Sequence, residues 1–142
     1  MSRSGYRCRR GAVLAGAALL ALALPAKTAR AQQEAVIDEG RMEYRQNCAS
    51  CHGQFGIGDG KLADRLRAKP SDLTRIAKRN GGSFPFWKIY TIIAGEQPVR
   101  AHQLSTMPIW GHRYRDEEKI GEGPVFLRVL ALTHYLESIQ EK

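Results

Sequence analysis

The chain has 142 residues, of which 22 are Lys or Arg and 14 are Asp or Glu, and its formal net charge is +8. This length allows one domain at most. Six of the basic residues and none of the acidic ones lie in residues 1–31, so residues 32–142 carry a net charge of only +2. No basic tract interleaved with aromatic residues remains in them. The sequence therefore gives no support for nucleic-acid binding.

The first predicted element is an export signal. Four arginines precede the uncharged run Gly11–Leu24, an order typical of the n-region and h-region of a secretory signal peptide. Ala29-Arg30-Ala31 supplies a cleavage site, so we predict that residues 1–31 are removed and that residues 32–142 form one domain in the periplasm. The run is shorter than the roughly 20 residues that a bilayer requires, which favours cleavage over retention as a membrane anchor and predicts no stable membrane span afterwards.

The second element is a predicted helix that leads into a pair of cysteines. Four of its residues are spaced four apart, which places them on one face of a helix. They are Val36, Gly40, Tyr44 and Cys48. Glycine lowers helical propensity, so we interpret Gly40 as a point of close approach by another helix.

The motif Cys48-Ala49-Ser50-Cys51-His52 is C-x-x-C-H, the attachment signature for c-type haem. Positions i and i+3 share a helical face, so both thiols can form thioethers with one edge of a macrocycle, and His52 then lies beneath the iron. A disulfide, a redox pair and half of a zinc site are the competing interpretations. They are weaker because the motif does not open a helix after a strand and no second Cys pair is present.

The predicted second axial ligand is Met107, which is followed by the rigidifying Pro108. A thioether ligand raises the reduction potential relative to a second histidine. His102 and His112 flank Met107 and remain possible ligands in its place. Met42 and His134 fit the position less well, because Met42 lies on the helix that precedes the motif and His134 lies in the last helix.

The remaining chain predicts short helices between loops. Glycines in Gln54–Gly60 predict a turn, Lys61–Lys69 a short helix stopped by Pro70, and Ser71 the N-cap of a helix through Arg79. Ser83 is the predicted N-cap of the next helix, which Gly95 ends.

A long loop is then predicted over Glu96–Glu122. Its acidic cluster Asp116-Glu117-Glu118 is interpreted as a solvated face. After Gly123-Pro124, apolar residues spaced three and four apart predict a last amphipathic helix that packs across the first near Gly40 and Tyr44: they are Val125, Val129, Leu132, Leu136 and Ile139.

These segments together resemble the class I bacterial monohaem cytochromes c. The likeness rests on the C-x-x-C-H motif, Gly40–Tyr44, Lys69–Thr74, Met107–Gly111 and Leu132–Gln140. It implies an all-α, cytochrome c-like fold around one haem c, with Cys48 and Cys51 as anchors and His52 and Met107 as iron ligands. It also implies that the Pro70 carbonyl accepts a hydrogen bond from His52 and that the first and last helices cross near Gly40 and Tyr135.

The expected function is reversible one-electron transfer between Fe(III) and Fe(II), in a periplasmic carrier rather than an enzyme. Its expected partners are redox proteins: a periplasmic dehydrogenase, an oxidase or a membrane electron-transport complex. Two further functions stay open, namely a haem-bearing subunit of a larger periplasmic dehydrogenase and a ligand-binding or peroxidase-like haem protein.

Overall fold

A computed structural model describes residues 24–96, 108–119 and 124–141, without the side chains of residues 24–27. The chain divides between Glu34 and Ala35, and the unit that begins at Ala35 carries the predicted site. None of the residues in these ranges lies in a β-strand, which confirms the predicted all-α class. The helices are α1 (Leu24–Asn47), α2 (Ala49–His52), α3 (Ile76–Arg79), α4 (Phe86–Ala94), α5 (Trp110–Glu118) and α6 (Val125–Ser138).

The prediction of a helix over Lys61–Lys69 is wrong. The segment contains a single 3₁₀ turn, at Ala63–Arg65. The local hydrogen bonds span only three residues, from the Arg65 amide to the Leu62 carbonyl at 3.0 Å and from the Leu66 amide to the Ala63 carbonyl at 3.3 Å, and the preceding amides bind the cysteine motif. The amide of Gly60 donates to the Cys51 carbonyl at 3.1 Å, and the amide of Leu62 donates to the Ser50 carbonyl at 2.9 Å. The start of the segment therefore lies along the backbone of the cysteine motif, and only one 3₁₀ turn follows.

The helix predicted to start at Ser71 begins later and in two parts, a 3₁₀ turn at Leu73–Arg75 followed by α3. Its N-cap is Asp72, whose carboxylate accepts a hydrogen bond from the Thr74 amide at 2.9 Å. A carboxylate in this position satisfies an amide that has no partner inside the turn. Ser71 is left outside the turn, where its carbonyl has another use.

Helix α4 ends as predicted at Gly95, which adopts the left-handed conformation that glycine allows (φ 79°). Its start differs from the prediction, because Pro85 rather than Ser83 occupies the N-cap and makes no side-chain cap bond.

The loop predicted over Glu96–Glu122 is wrong for its second half, which forms α5. Trp110 and Tyr114, one helical turn apart, are 6% and 0% exposed and hold this helix against the core. Glu117 of the predicted solvated cluster is half-buried and accepts a hydrogen bond from Arg128 at 2.7 Å, whereas Asp116 and Glu118 are exposed.

The helices pack through close backbone contacts. A Cβ on Gly40 would overlap the Ala131 carbonyl of α6, and the rings of Tyr44 and Tyr135 lie 5.2 Å apart. A Cβ on Gly111 would overlap the Ala94 carbonyl, so α4 and α5 also meet backbone to backbone. The expected crossing of the first and last helices is confirmed.

Helix α6 confirms the predicted amphipathic stripe, since Val129, Leu132 and Leu136 are buried. It packs along α4 and contacts α5. Within the ranges given above, no helix combines the length and the hydrophobicity needed to cross a bilayer.

Candidate functional site

A single helical turn brings the motif side chains together. The amides of Cys51 and His52 both donate to the Cys48 carbonyl, at 3.1 and 2.9 Å, and the amide of Cys48 donates to the Tyr44 carbonyl at 2.8 Å. Cys48 and Cys51 are therefore three residues apart on a turn that continues α1, and they share a face. His52 is only 8% exposed.

A glycine loop folds back over this turn. The Gly58 amide donates to the His52 carbonyl at 2.8 Å, which closes the loop on the motif. Side chains cannot fit at two positions, because a Cβ on Gly58 would overlap the Pro70 carbonyl and a Cβ on Gly60 would overlap the carbonyls of Ser50 and Cys51. The turn expected over Gln54–Gly60 thus packs against the backbone of the motif and covers it.

The imidazole of His52 is oriented by a backbone carbonyl, but not by the one expected. Its Nδ1 lies 3.1 Å from the Ser71 oxygen, whereas the Pro70 carbonyl lies against Gly58. The expectation was wrong by one residue because close packing with the glycine loop turns the Pro70 carbonyl away. A carbonyl at Nδ1 favours the tautomer with its proton there, which leaves the lone pair on Nε2 for a metal.

The C-terminal end of the chain holds the segment that carries Ser71. The Gln140 side chain donates to the Leu73 carbonyl and accepts from the Ala77 amide, both at 2.9 Å, and the Glu141 amide donates to the Thr74 carbonyl at 2.8 Å. In the sequence, Gln140 stands only as the last residue of the Leu132–Gln140 segment, with no role assigned to it. A long polar side chain just past an amphipathic helix was the only signal of this role.

Tyr44 supports the motif from the opposite end of the turn. It is fully buried, and its hydroxyl donates to the Gly53 carbonyl at 2.7 Å, directly after His52. Burial is the main cause that raises the pKa of this hydroxyl well above its ordinary value, followed by the neighbouring Cys48. The group therefore stays a neutral donor at every ordinary pH.

The chemistry of the donor set fits a porphyrin iron. Both described cysteines are free thiols, and burial, with smaller contributions from Glu43 and Cys51, raises the pKa of the Cys48 thiol to about 12. A thiolate is thus disfavoured at this position, whereas a neutral thioether carries no such cost.

The imidazole fits the same group. Burial lowers the pKa of His52, against a smaller opposing effect of the Ser71 hydrogen bond, which keeps the ring neutral as a metal ligand must be. Among the described residues, no group of three or more His, Cys, Asp or Glu side chains is arranged to hold a bare metal ion.

The predicted second ligand, Met107, lies outside the described residues, as does His102. The three remaining candidate ligands lie within them. His112 is exposed on α5, Met42 is 57% exposed on α1, and His134 lies 4.7 Å from the Phe86 ring and 3.6 Å from the Glu137 carboxylate. The described flanks of Met107 meet each other, since a Cβ on Gly95 would overlap the Ile109 side chain.

Comparison with known proteins places most of the described site within a known family model. Residues 35–121 match the family model described as cytochrome c oxidase, cbb3-type, subunit III. The matched segment is more than half of the chain and contains the cysteine motif, the glycine loop and Met107. No curated protein and no solved structure matches the chain significantly.

Proposed function

This chain belongs to the family described as cytochrome c oxidase, cbb3-type, subunit III, a class I monohaem type of c-type cytochrome, and we propose that it is an exported carrier of single electrons. Membership of a cytochrome c family implies haem-based electron transfer. The proposal goes further in assigning the residues, the compartment and a free carrier rather than a fixed subunit.

The observation that carries the proposal is the turn Cys48–His52, which brings two free thiols and a buried imidazole together. In the proposed protein, Cys48 and Cys51 hold the haem as thioethers and His52 binds the iron through Nε2. The Ser71 carbonyl would fix the ring by accepting a hydrogen bond from the Nδ1–H group. When bound, the haem supplies a one-electron Fe(III)/Fe(II) couple.

Met107 is the residue that would supply the second ligand to the iron. Met107 lies three residues before the start of α5, a helix that is anchored in the core by Trp110. A soft sulfur ligand favours Fe(II) and raises the potential, and burial of the site disfavours the additional charge of Fe(III). His52 and Met107 would hold the iron in both oxidation states, so the protein would need little rearrangement when the iron changes charge.

The proposed compartment is the periplasm. The support is the leader of residues 1–31, with its arginines, its uncharged run and the Ala29-Arg30-Ala31 site. The partners proposed for the mature chain are periplasmic or membrane-bound redox proteins, which it meets through small, short-lived contacts.

The test is expression with an export pathway and haem-maturation machinery. We expect the exported protein to outweigh residues 32–142 by one haem and to show the weak red charge-transfer band of methionine-bound ferric iron. Met107→Ala should lose this band, whereas Met42→Ala, the matched methionine change on α1, should keep it. Rapid carbon monoxide binding by the reduced wild-type protein would contradict a carrier and favour a ligand-binding or peroxidase-like haem protein.

A second candidate function is supported by the family description, which names a subunit of an oxidase. In that case the chain would pass electrons within a stable complex. Fractionation distinguishes the two, because a carrier is recovered from a periplasmic extract as a small haem protein. Recovery with an oxidase activity after detergent solubilisation of membranes would favour the subunit.

A further inference from the structure

Arg128, on α6, joins three helices through one guanidinium group. Its Nε and Nη2 donate to the two carboxylate oxygens of Glu43 on α1, at 2.7 and 3.1 Å. Its Nη1 donates to the Glu117 carboxylate on α5 at 2.7 Å. The planar guanidinium can serve both carboxylates at once, which a lysine ammonium cannot do with the same geometry.

The group is shielded from water. The side chains of Arg128, Glu43 and Glu117 are 13%, 17% and 25% exposed. The guanidinium also lies 4.0 Å from the centre of the fully buried Tyr114 ring, in a cation–π contact. Charge pairs that are largely removed from water are costly to break, because the remaining charge is left without a partner.

The two carboxylates lie on the helix that leads into the haem attachment site and on the helix that follows the predicted ligand Met107. Glu43 lies on α1 five residues before Cys48 and is tied to the end of that helix, since Asn47 donates to its carboxylate at 2.9 Å. Glu117 lies on α5, the helix that begins three residues after Met107. Arg128 therefore connects the helix that carries the haem attachment site to the helix that follows the predicted distal ligand.

We propose that Arg128 is a positioning residue that holds α5, through Glu117, at the distance from α1 at which Met107 reaches the iron. This inference rests on the proposed function, because it assumes the haem and its methionine ligand. Without the link, α5 keeps its packing on α4 at Gly111 but loses its charged tie to α1. The methionine then competes less well with other ligands for the sixth position.

The experiment measures how tightly imidazole binds to the ferric holoprotein. Binding is monitored through the loss of the red charge-transfer band. We expect Arg128→Met and Glu117→Gln to bind imidazole at least about tenfold more tightly than the wild type, while the covalent haem content stays the same. Glu117→Gln is the variant that keeps the proposal testable if Arg128→Met does not fold, because it leaves the Arg128–Glu43 pair in place.

Two controls separate positioning from general stability. Arg41→Gln removes a surface ion pair within α1 (2.9 Å to Asp38) and should bind imidazole like the wild type. Leu136→Ala removes a buried apolar side chain of α6 two helical turns away from Arg128 and leaves the three charged residues of the network in place. If its imidazole affinity rises as much as that of Glu117→Gln at equal loss of stability in urea, Arg128 is merely structural and the inference is overturned.

Wild-type imidazole affinity in both Arg128→Met and Glu117→Gln also overturns the inference. A wild-type protein without the red band contradicts the proposed methionine ligand and with it this inference. A wild-type protein that has the band, beside variants that do not differ from it, overturns only the role of Arg128.

Discussion

The hydroxyl of Tyr44 ties α1 to the end of the cysteine turn through a hydrogen bond to the Gly53 carbonyl. Tyr44→Phe removes this donor and leaves the buried Gly53 carbonyl without its 2.7 Å partner. An unsatisfied buried acceptor costs about 1–3 kcal/mol. We expect urea denaturation of the holoprotein to show a free energy of unfolding lower by that amount.

The matched control is Tyr90→Phe, which removes a hydroxyl from a half-buried ring that packs on Trp87 and Phe126. It should leave the free energy of unfolding nearly unchanged. Equal stability of Tyr44→Phe and the wild type would mean that the Gly53 carbonyl finds another donor, and that the hydroxyl does not stabilise the turn.

Glu117 gives stability a pH dependence. The hydrogen bond from Arg128 is the main cause that lowers the pKa of its carboxyl, and Arg113 adds to it. A pKa lowered by folding contributes stability that is complete above the unfolded value, about 4.3, and that is lost as the pH falls through the folded pKa. Glu117→Gln removes this titration.

We therefore expect the wild-type holoprotein to be more stable than Glu117→Gln at pH 7, by about 1 kcal/mol after allowance for solvent screening. The difference in free energy of unfolding should shrink below about pH 4. Urea denaturation at a series of pH values measures it, and a difference that stays constant down to pH 3 would contradict the prediction.

The crossing of α1 and α6 depends on the absence of a side chain at Gly40. Replacing glycine by alanine inside a helix normally stabilises it by about 1 kcal/mol. Here the added Cβ would overlap the Ala131 carbonyl and lie 2.9 Å from the Tyr135 Cβ, so the helices must separate. Overpacking costs about 1–3 kcal/mol, and we expect Gly40→Ala to be net destabilising.

Thermal denaturation of the holoprotein tests this sign. Met42→Ala serves as the control and should leave Tm nearly unchanged, because Met42 lies on the same helix and is 57% exposed. A rise in Tm for Gly40→Ala would show that the crossing is loose.

Elements with a repeating pattern were predictable, and those shaped by distant contacts were not. Helix α6 follows from its apolar spacing, and the crossing at Gly40 follows from a glycine in a helical stretch. Helix α5 was missed because its two buried aromatic residues, Trp110 and Tyr114, stand among charged residues. One of those charges, on Glu117, finds its partner only in the folded molecule.

The site divides in the same way. C-x-x-C-H is a local motif, and the structure places its two thiols and imidazole on one turn. The Ser71 contact depends on how the glycine loop meets the Pro70 carbonyl, and the role of Gln140 depends on the chain end reaching back to Leu73 and Ala77. Such contacts are set by tertiary packing, which no pattern within a short segment encodes.

At the scale of the whole molecule, the site organises the fold. Helix α1 leads into Cys48, the glycine loop covers the motif, and the C-terminal residues hold the segment that carries Ser71. The predicted domain of residues 32–142 is small enough to have only a modest apolar core of its own. In the proposed protein, a covalently held haem adds a large apolar disc to that core, so stability should depend on it.

We expect Cys48→Ala/Cys51→Ala, expressed with the export and maturation machinery, to yield little soluble protein and no haem-bound protein. The reason is that a ligand bound only by the folded state stabilises it, and removal of both thiols removes the covalent hold. Cys8→Ser is the matched control, because Cys8 lies in the predicted leader and its loss should change neither yield nor haem content. A well-folded, haem-free double variant at wild-type yield would show that the protein part is stable alone, and that haem attachment is not needed to hold these helices together.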